Sequence, residues 1–210
     1  LILFLDADGN LLGHSYLDGS WVTDLLTVPG RAGEDLWARS RWCHGINIYR
    51  GQNDAEPSGA VLMLGGAAQP LFRDCLRVIP FTTGDRVAFD LIAHGGNRYV
   101  LAANETGFGV LSTTCQNWEW KTEGGTPLTA CRAVGLDGAD PQIVTGGADG
   151  FIAAYGLLDG RPRRRLYMDD PVVGIASDDN GQLLVGTRKR LVTLDKEWRP
   201  IASRAVSVDA

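Results

Sequence analysis

The sequence predicts an all-β fold, and three observations carry that expectation. Few windows longer than ten residues place apolar side chains at i, i+3, i+4 and i+7 without a Gly or Pro interrupting, so an amphipathic helix has nowhere to form. Short apolar runs recur instead between Asp-Gly, Gly-Gly, Asn-Gly or proline breaks, the pattern of strands joined by tight turns. Glycine supplies 27 of 210 residues, above the ~7% share of an average protein, as a fold with many turns requires.

In chain order the expected strands are LILFL at 1–5, NLLGHSYL at 10–17, INIYR at 46–50, AVLML at 60–64, YVLAA at 99–103, QIVTG at 142–146, FIAAYGLL at 151–158, QLLVG at 182–186 and RLVTLD at 190–195. These are not independent. FDLIAHGGNRYVLAANETGFGVLS aligns with CRAVGLDGADPQIVTGGADGFIAAY, and both align, with a one-residue gap, to GIASDDNGQLLVGTRKRLVTLD. First strands begin near Val87, Leu128 and Val172, steps of 41 (87 to 128) and 44 (128 to 172) residues. The small residue ending each second strand falls at Ala103, Gly146 and Gly186. DGNLLGHSYLDGSW from Asp8 matches DGFIAAYGLLDGRP from Asp149, each with a second Asp-Gly ten residues on, at Asp18 and Asp159.

A period in the low forties, read as strand, loop, strand, Asp-Gly turn, strand and a more polar strand, is that of a β-propeller blade. Blades stack face to face, so their inner strands call for slim side chains, which Ala130, Cys131, Ala133, Gly174 and Ala176 supply. A second strand covered on both faces reads as unbroken apolar, and YVLAA, QIVTG and QLLVG do so. Asp149-Gly150 suits a two-residue hairpin turn. WEWKTE at 118–123 and RPRRRLYM at 161–168 are polar enough for the wet fourth strand.

Residues 87–200 resemble three blades of the broad β-propeller group that includes WD-repeat, quinoprotein-like and FG-GAP-like propellers, with Leu136 to Gly160 the most typical piece. No copy ends in Trp-Asp, no Gly-His pair opens a blade, and LDGAD is short of acids for an FG-GAP calcium loop, so the resemblance is to the architecture. The expected organisation is one propeller or propeller fragment of about four or more blades: 1–27 the end of a blade, 28–86 an irregular blade with an insertion, then blades at 87–127, 128–171 and 172–210. The chain opens at Leu1 without an initiator Met or a basic-then-apolar leader, and reads as a processed product or a portion of a larger propeller. Alternatively IASRAVSVDA supplies a missing inner strand and closes a small ring.

Composition narrows the function. With 20 Lys+Arg against 25 Asp+Glu, the net charge of -5 disfavours a role in gripping nucleic-acid backbone or an anionic membrane. No apolar run approaches the ~18 to 20 residues of a membrane span, since Asp6 and Asp8 cut the opening one, and direct membrane insertion is not expected. Cys43, Cys75, Cys115 and Cys131 form no CxxC pair and read as small buried thiols in a reducing, cytoplasmic setting.

No residue pattern carries catalysis, a cofactor or a metal. His14, His44 and His94 lie on different blades without a carboxylate or Ser at a useful spacing, and Cys43-His44 lacks the spacing of a haem attachment motif. DADGN at 6–10 has the letters of half a calcium loop but no closing Glu. The glycines of GGADG at 146–150 and those near residue 107 precede no helix, so they are no phosphate cradle. Two features are candidates for partner binding. Arg161, Arg163, Arg164 and Arg165 form a dense basic patch, with Arg188, Lys189 and Arg190 at the hairpin taken to correspond in the next copy; arginine forks pair carboxylate or phosphate. Trp118 and Trp120, two apart, are expected on one face of a strand, as packing between blades or as a recognition surface.

The function expected first is a non-enzymatic propeller scaffold that binds other protein subunits within a larger assembly. A carbohydrate-binding propeller is the alternative, because LILFLDADGNLLGHSYLDGSW resembles the repeat of fucose-type lectins; a glycan would then be the partner. A propeller enzyme, either a quinone-cofactor dehydrogenase or a polysaccharide-cleaving enzyme, is third, its catalytic groups gathered at the axial mouth.

Overall fold

A computed structural model describes residues 2–5, 11–15, 22–30, 33–40, 45–51, 62–63, 67–68, 72–80 and 85–206, apart from 116, 137, 139, 179 and 180. All regular structure among these is β-strand, and no helix there is long and apolar enough to cross a membrane. Two compact units divide the chain, Leu1–Thr83 and Gly84–Ala210.

In the first unit β1 (Ile2–Leu5) and β2 (Leu11–Ser15) form a hairpin. A four-stranded antiparallel sheet follows in the order β3 (Val22–Gly30), β4 (Gly33–Ser40), β5 (Gly45–Gly51) and β8 (Phe72–Pro80), with a small β6–β7 hairpin (Leu62–Met63, Ala67–Ala68) between β5 and β8 in sequence. Val28 and Trp37, on one face of the β3–β4 hairpin, are buried. The sequence reading lacks β3, β4, β7 and β8, and β3 runs through the boundary drawn between 27 and 28. Pro29 and Gly30 both pair, Pro29 with Glu34 and Gly30 with Gly33, at the end of the strand where a missing N–H costs least. Within AVLML the described residues are Leu62 and Met63, which form β6.

The second unit is three successive four-stranded antiparallel sheets: β9 (Arg86–His94) to β12 (Asn117–Glu123) through β10 (Asn97–Asn104) and β11 (Gly107–Ser112); β13 (Leu128–Val134) to β16 (Pro162–Tyr167) through β14 (Gln142–Gly147) and β15 (Phe151–Gly156); β17 (Val172–Ser177) to β20 (Pro200–Ala205) through β18 (Leu183–Thr187) and β19 (Arg190–Leu194). Strands pair in sequence order within each sheet, and first strands lie beside one another, β13 against both β9 and β17. The same hydrogen bond ties the middle hairpin to the entry of the first strand in all three: Glu105 N–H to the Asp85 carbonyl (3.2 Å), Ala148 to Pro127 (3.0 Å) and Arg188 to Pro171 (3.3 Å).

Apolar layers fill the space between sheets. Ile92, Leu101, Phe108 and Val110 meet Cys131, Ile143 and Leu157 in one layer; Ala130, Val144, Ile152 and Ala154 meet Val172, Val185, Val192 and Leu194 in the next. Each fully buried aliphatic side chain contributes about 1.5 to 3 kcal/mol by leaving water.

The expected Asp-Gly turn is present in altered form. Ala148, Asp149 and Gly150 join β14 to β15, three residues rather than two. Gly150, at φ +80°, donates to the Gly147 carbonyl (3.1 Å), and Asp149 Oδ1 accepts from Phe151 N–H (3.1 Å). Asp159 repeats this, accepting from Arg161 N–H (3.0 Å) across Gly160 at φ +62°. The side-chain carboxylate as well as the glycine therefore shapes these turns.

Candidate functional site

Trp118 and Trp120 do not share a face. The register slips between Val110 and Leu111, so Val110 pairs with Trp120 and Leu111 with Trp118, leaving Glu119 extra. A bulge of one residue turns the two rings to opposite sides of β12. Trp120 faces the second sheet: its Nε1 donates to the Leu157 carbonyl (2.7 Å), its ring meets Phe108 edge-on at 5.6 Å, and it lies against Gly160. It is packing between sheets. Trp118, half-buried, crosses above Gly109 on the other side.

The basic residues of the candidate patch occupy non-equivalent places. Arg163, Arg164 and Arg165 lie on β16, an outer strand, with Arg161 just before it, whereas Arg188 and Lys189 form the β18–β19 turn that Arg190 closes. The counterpart of that turn in the second sheet is Ala148–Gly150.

Four of the seven cations are held by the fold itself. Arg163 pairs with Asp159 (3.0 Å) and Asp140 (3.7 Å). Arg165 lies 3.8 Å above the Phe151 ring and 3.8 Å from Asp149. Arg164 donates to the Lys196 carbonyl (2.9 Å), and Arg190 to the Met168 carbonyl (2.7 Å), each clamping the second sheet to the third. Arg161 stands 3.9 Å from Asp159 with its side chain 78% exposed, and Arg188 and Lys189 are exposed. The Asp159 carboxyl is held below the usual carboxylate range, first by the Arg161 N–H and then by the Arg163 side chain.

His94 Nδ1 lies 2.8 Å from the Leu136 carbonyl, which ties β9 to the β13–β14 loop. Cys131 is buried and its thiol is pushed far up by desolvation, reinforced by the nearby charge of Asp90. Cys115 departs from the expectation of a buried thiol: it is exposed, because it falls in the β11–β12 turn, where its N–H donates to Ser112 Oγ (3.2 Å). Among the described residues no three His, Cys, Asp or Glu side chains gather as a metal site. His44, the DADGN run and residues 16–21 of the lectin-like segment lie outside the described residues.

One surface was not expected from sequence. Cross-strand partners share a face, so Gly174, Gly186, Leu191 and Arg204 form one row across the third sheet, and Ala176, Leu184, Thr193 and Ala202 the next. These rows face away from the second sheet. Leu184 is 37% exposed there, and Val173, at the β17 bulge, is 55% exposed. Ile201 and Val206 add exposed aliphatic surface on and just beyond β20. The unbroken apolar QLLVG was the available signal, but it was read as a strand covered on both faces.

No protein-family model matches the chain, and no curated protein matches it. Solved structures do. Dihydro-heme d1 dehydrogenase NirN in complex with DHE is similar at TM-score 0.60 and 15% identity, over 99% of this chain and 41% of that one. BBS1N in complex with ARL6DN, soaked with lead, is similar at TM-score 0.60 and 12% identity, over 92% of this chain and 57% of that one. The mercury-soaked form gives 0.58 and 13%, over 92% and 54%.

The fold is an all-β propeller. The chain spans about half the length of the propeller structures it matches, and likeness at these identities extends to the fold alone.

Proposed function

We propose that this chain is a non-enzymatic propeller scaffold that binds other protein subunits, as a module of a larger assembly. The observation that carries the reading is the third sheet, where Val173, Leu184, Ile201 and Val206 expose aliphatic surface and the β18–β19 turn exposes Arg188 and Lys189. Exposed apolar surface of this kind, among polar groups, is typical of a protein-binding surface. The similar BBS1N structure, solved in complex with ARL6DN, supports the idea that a sheet array of this kind holds a protein partner. A cytoplasmic setting is part of the proposal, carried over from the cysteine spacing in the sequence. The reading invokes no cofactor.

Cross-linking of the tagged chain in its native cells, followed by purification, tests it. The expected result is a protein partner at fixed stoichiometry that is lost in Leu184→Asp and retained in Leu158→Asp, a substitution at an exposed leucine of the β15–β16 turn. A partner indifferent to both substitutions would overturn the reading, as would saturable glycan binding without a protein partner.

A further inference from the structure

In each of the last two repeats a row of corresponding residues faces the preceding sheet, and the two rows are filled differently. In the third sheet the row is Ile175, Val185, Val192 and Ser203. In the second it is Cys131, Thr145, Ala153 and Arg165. Val192 is 3% exposed. Ala153 stays half-buried, although an alanine needs little to cover it, so the first sheet stands off from it. Its neighbours on that face, Phe151 and Tyr155, are half-buried too, whereas Ile152 and Ala154, on the face toward the third sheet, are fully buried. A shallow apolar groove therefore opens between the outer strands β12 and β16. Ala153 is its floor, and Phe108 and Tyr155, with ring centroids 4.9 Å apart, close its inner side.

The wall of this groove is aromatic and cationic. Tyr167, 54% exposed, pairs with Phe151, and the two rings lie 4.9 Å apart. Arg165 reaches from the Ala153 row over the Phe151 ring with its side chain 62% exposed. Its guanidinium donates no hydrogen bond among the described residues, since Asp149 stays 3.8 Å away. Arg163, by contrast, is engaged by Asp159 and Asp140. A stacked guanidinium keeps a rigid fork of N–H donors that matches a carboxylate. Tyr and Arg are also the residue types in which binding energy concentrates at interfaces.

We infer that this groove seats an acidic peptide segment of a partner protein, with one apolar side chain over Ala153 and a carboxylate on the fork of Arg165. Charge favours that occupant: the chain carries a net charge of -5, and the exposed Arg161 and Arg165 give this rim a local attraction for acid. The inference adds a second surface and a partner chemistry to the scaffold reading and rests on it.

The probe is a randomised display library of short peptides, selected on the whole chain. Enriched sequences are synthesised and titrated by fluorescence anisotropy. Enrichment of Asp or Glu beside a Leu, Ile, Val or Phe is expected, with affinity lowered about tenfold in Arg165→Gln by loss of a charge-assisted hydrogen bond. Ala153→Val should abolish binding by filling the groove. Valine stands at the corresponding place in the third sheet, so the urea midpoint of Ala153→Val should not fall; if it does, Arg165→Gln, at an exposed side chain, decides alone. Leu184→Asp should bind the same peptides unchanged.

Enriched peptides without acidic residues would overturn the inference, as would equal affinity for the parent chain and Arg165→Gln. Peptide binding lost in Leu184→Asp would move the site to the third sheet and overturn the groove. A neutral glycan whose binding is lost in Ala153→Val would overturn it in favour of a sugar. No enrichment, alongside a cross-linked partner that is still lost in Leu184→Asp, would remove the groove and leave the scaffold standing.

Discussion

β14 and β18 are written almost alike, QIVTG against QLLVG, and the structure treats them differently. In β14 every residue from Ile143 to Gly147 is buried, whereas in β18 burial alternates, with Leu183, Val185 and Thr187 inside and Leu184 exposed. The letters do not account for this. β14 lies between two sheets whose side chains reach it from both faces, through Leu101 and Val110 on one side and Val172 and Val185 on the other. The layer on β18 comes from the second sheet. An apolar strand is therefore a statement about how many faces a sequence is prepared to cover, and the neighbours decide how many are covered.

The sharpest way to break this comparison is a charge at matched positions. Val144→Asp should cost about 3 kcal/mol, because the carboxylate would lose its water in the apolar layer against the third sheet, and Arg132, exposed on the paired strand, would offset only part of that. Leu184→Asp should stay within ~1 kcal/mol at an exposed site. Urea midpoints read both, and similar losses would mean that the two strands are equally enclosed.

Next comes volume. Gly146→Val should cost more than ~2 kcal/mol by forcing Val172 aside, while Gly186→Val should fall within ~0.5 kcal/mol. A neutral midpoint for the first would remove the close approach of β14 and β17.

Smaller effects are expected at the margins of the layers. Trp120→Phe keeps the aromatic edge contact with Phe108 but leaves the Leu157 carbonyl without its donor, for a loss of about 1 kcal/mol in the same denaturation experiment.

The smallest effect is in pH. Asp195, at the β19–β20 turn, is held below the usual carboxylate range, first by the Arg199 N–H and then by the Arg199 guanidinium at 2.7 Å. Its folded value lies below its unfolded one, so its contribution is present above the ordinary carboxylate pKa of ~3.9 and is lost as pH falls through the depressed value. Asp195→Asn should flatten the acid limb of the stability profile in that window by lowering stability slightly at neutral pH, while leaving it nearly unchanged below the depressed value. A mutant with an unaltered acid limb would remove this turn from the account. Asp159 has the same sign and serves as the comparison in the second sheet.

The repeat was readable because a blade is a local object. Hydrogen-bonded neighbours in these sheets are also neighbours in sequence, so period, turn residues and strand polarity all appear within some forty letters. Val87, Leu128 and Val172 fall in or at the start of β9, β13 and β17 for that reason. Where connections lengthen or a proline pairs near a turn, as in β3 and β4, the local signal fails. It also fails at one-residue irregularities: the spacing of Trp118 and Trp120 implies a shared face, and the bulge at Glu119 separates them. Basic residues were visible, but their employment was not. Arg164 and Arg190 are bound to carbonyls of adjacent sheets that lie 32 and 22 residues away.

The letters alone determined that this chain is a series of short strands in repeats of forty-odd residues, because turn chemistry and hydrophobic period act over a few positions. Which arginines are spent on the fold, which way each tryptophan turns and which apolar strand keeps an open face were decided only in three dimensions. Those properties belong to contacts between sheets, where residues far apart in sequence meet.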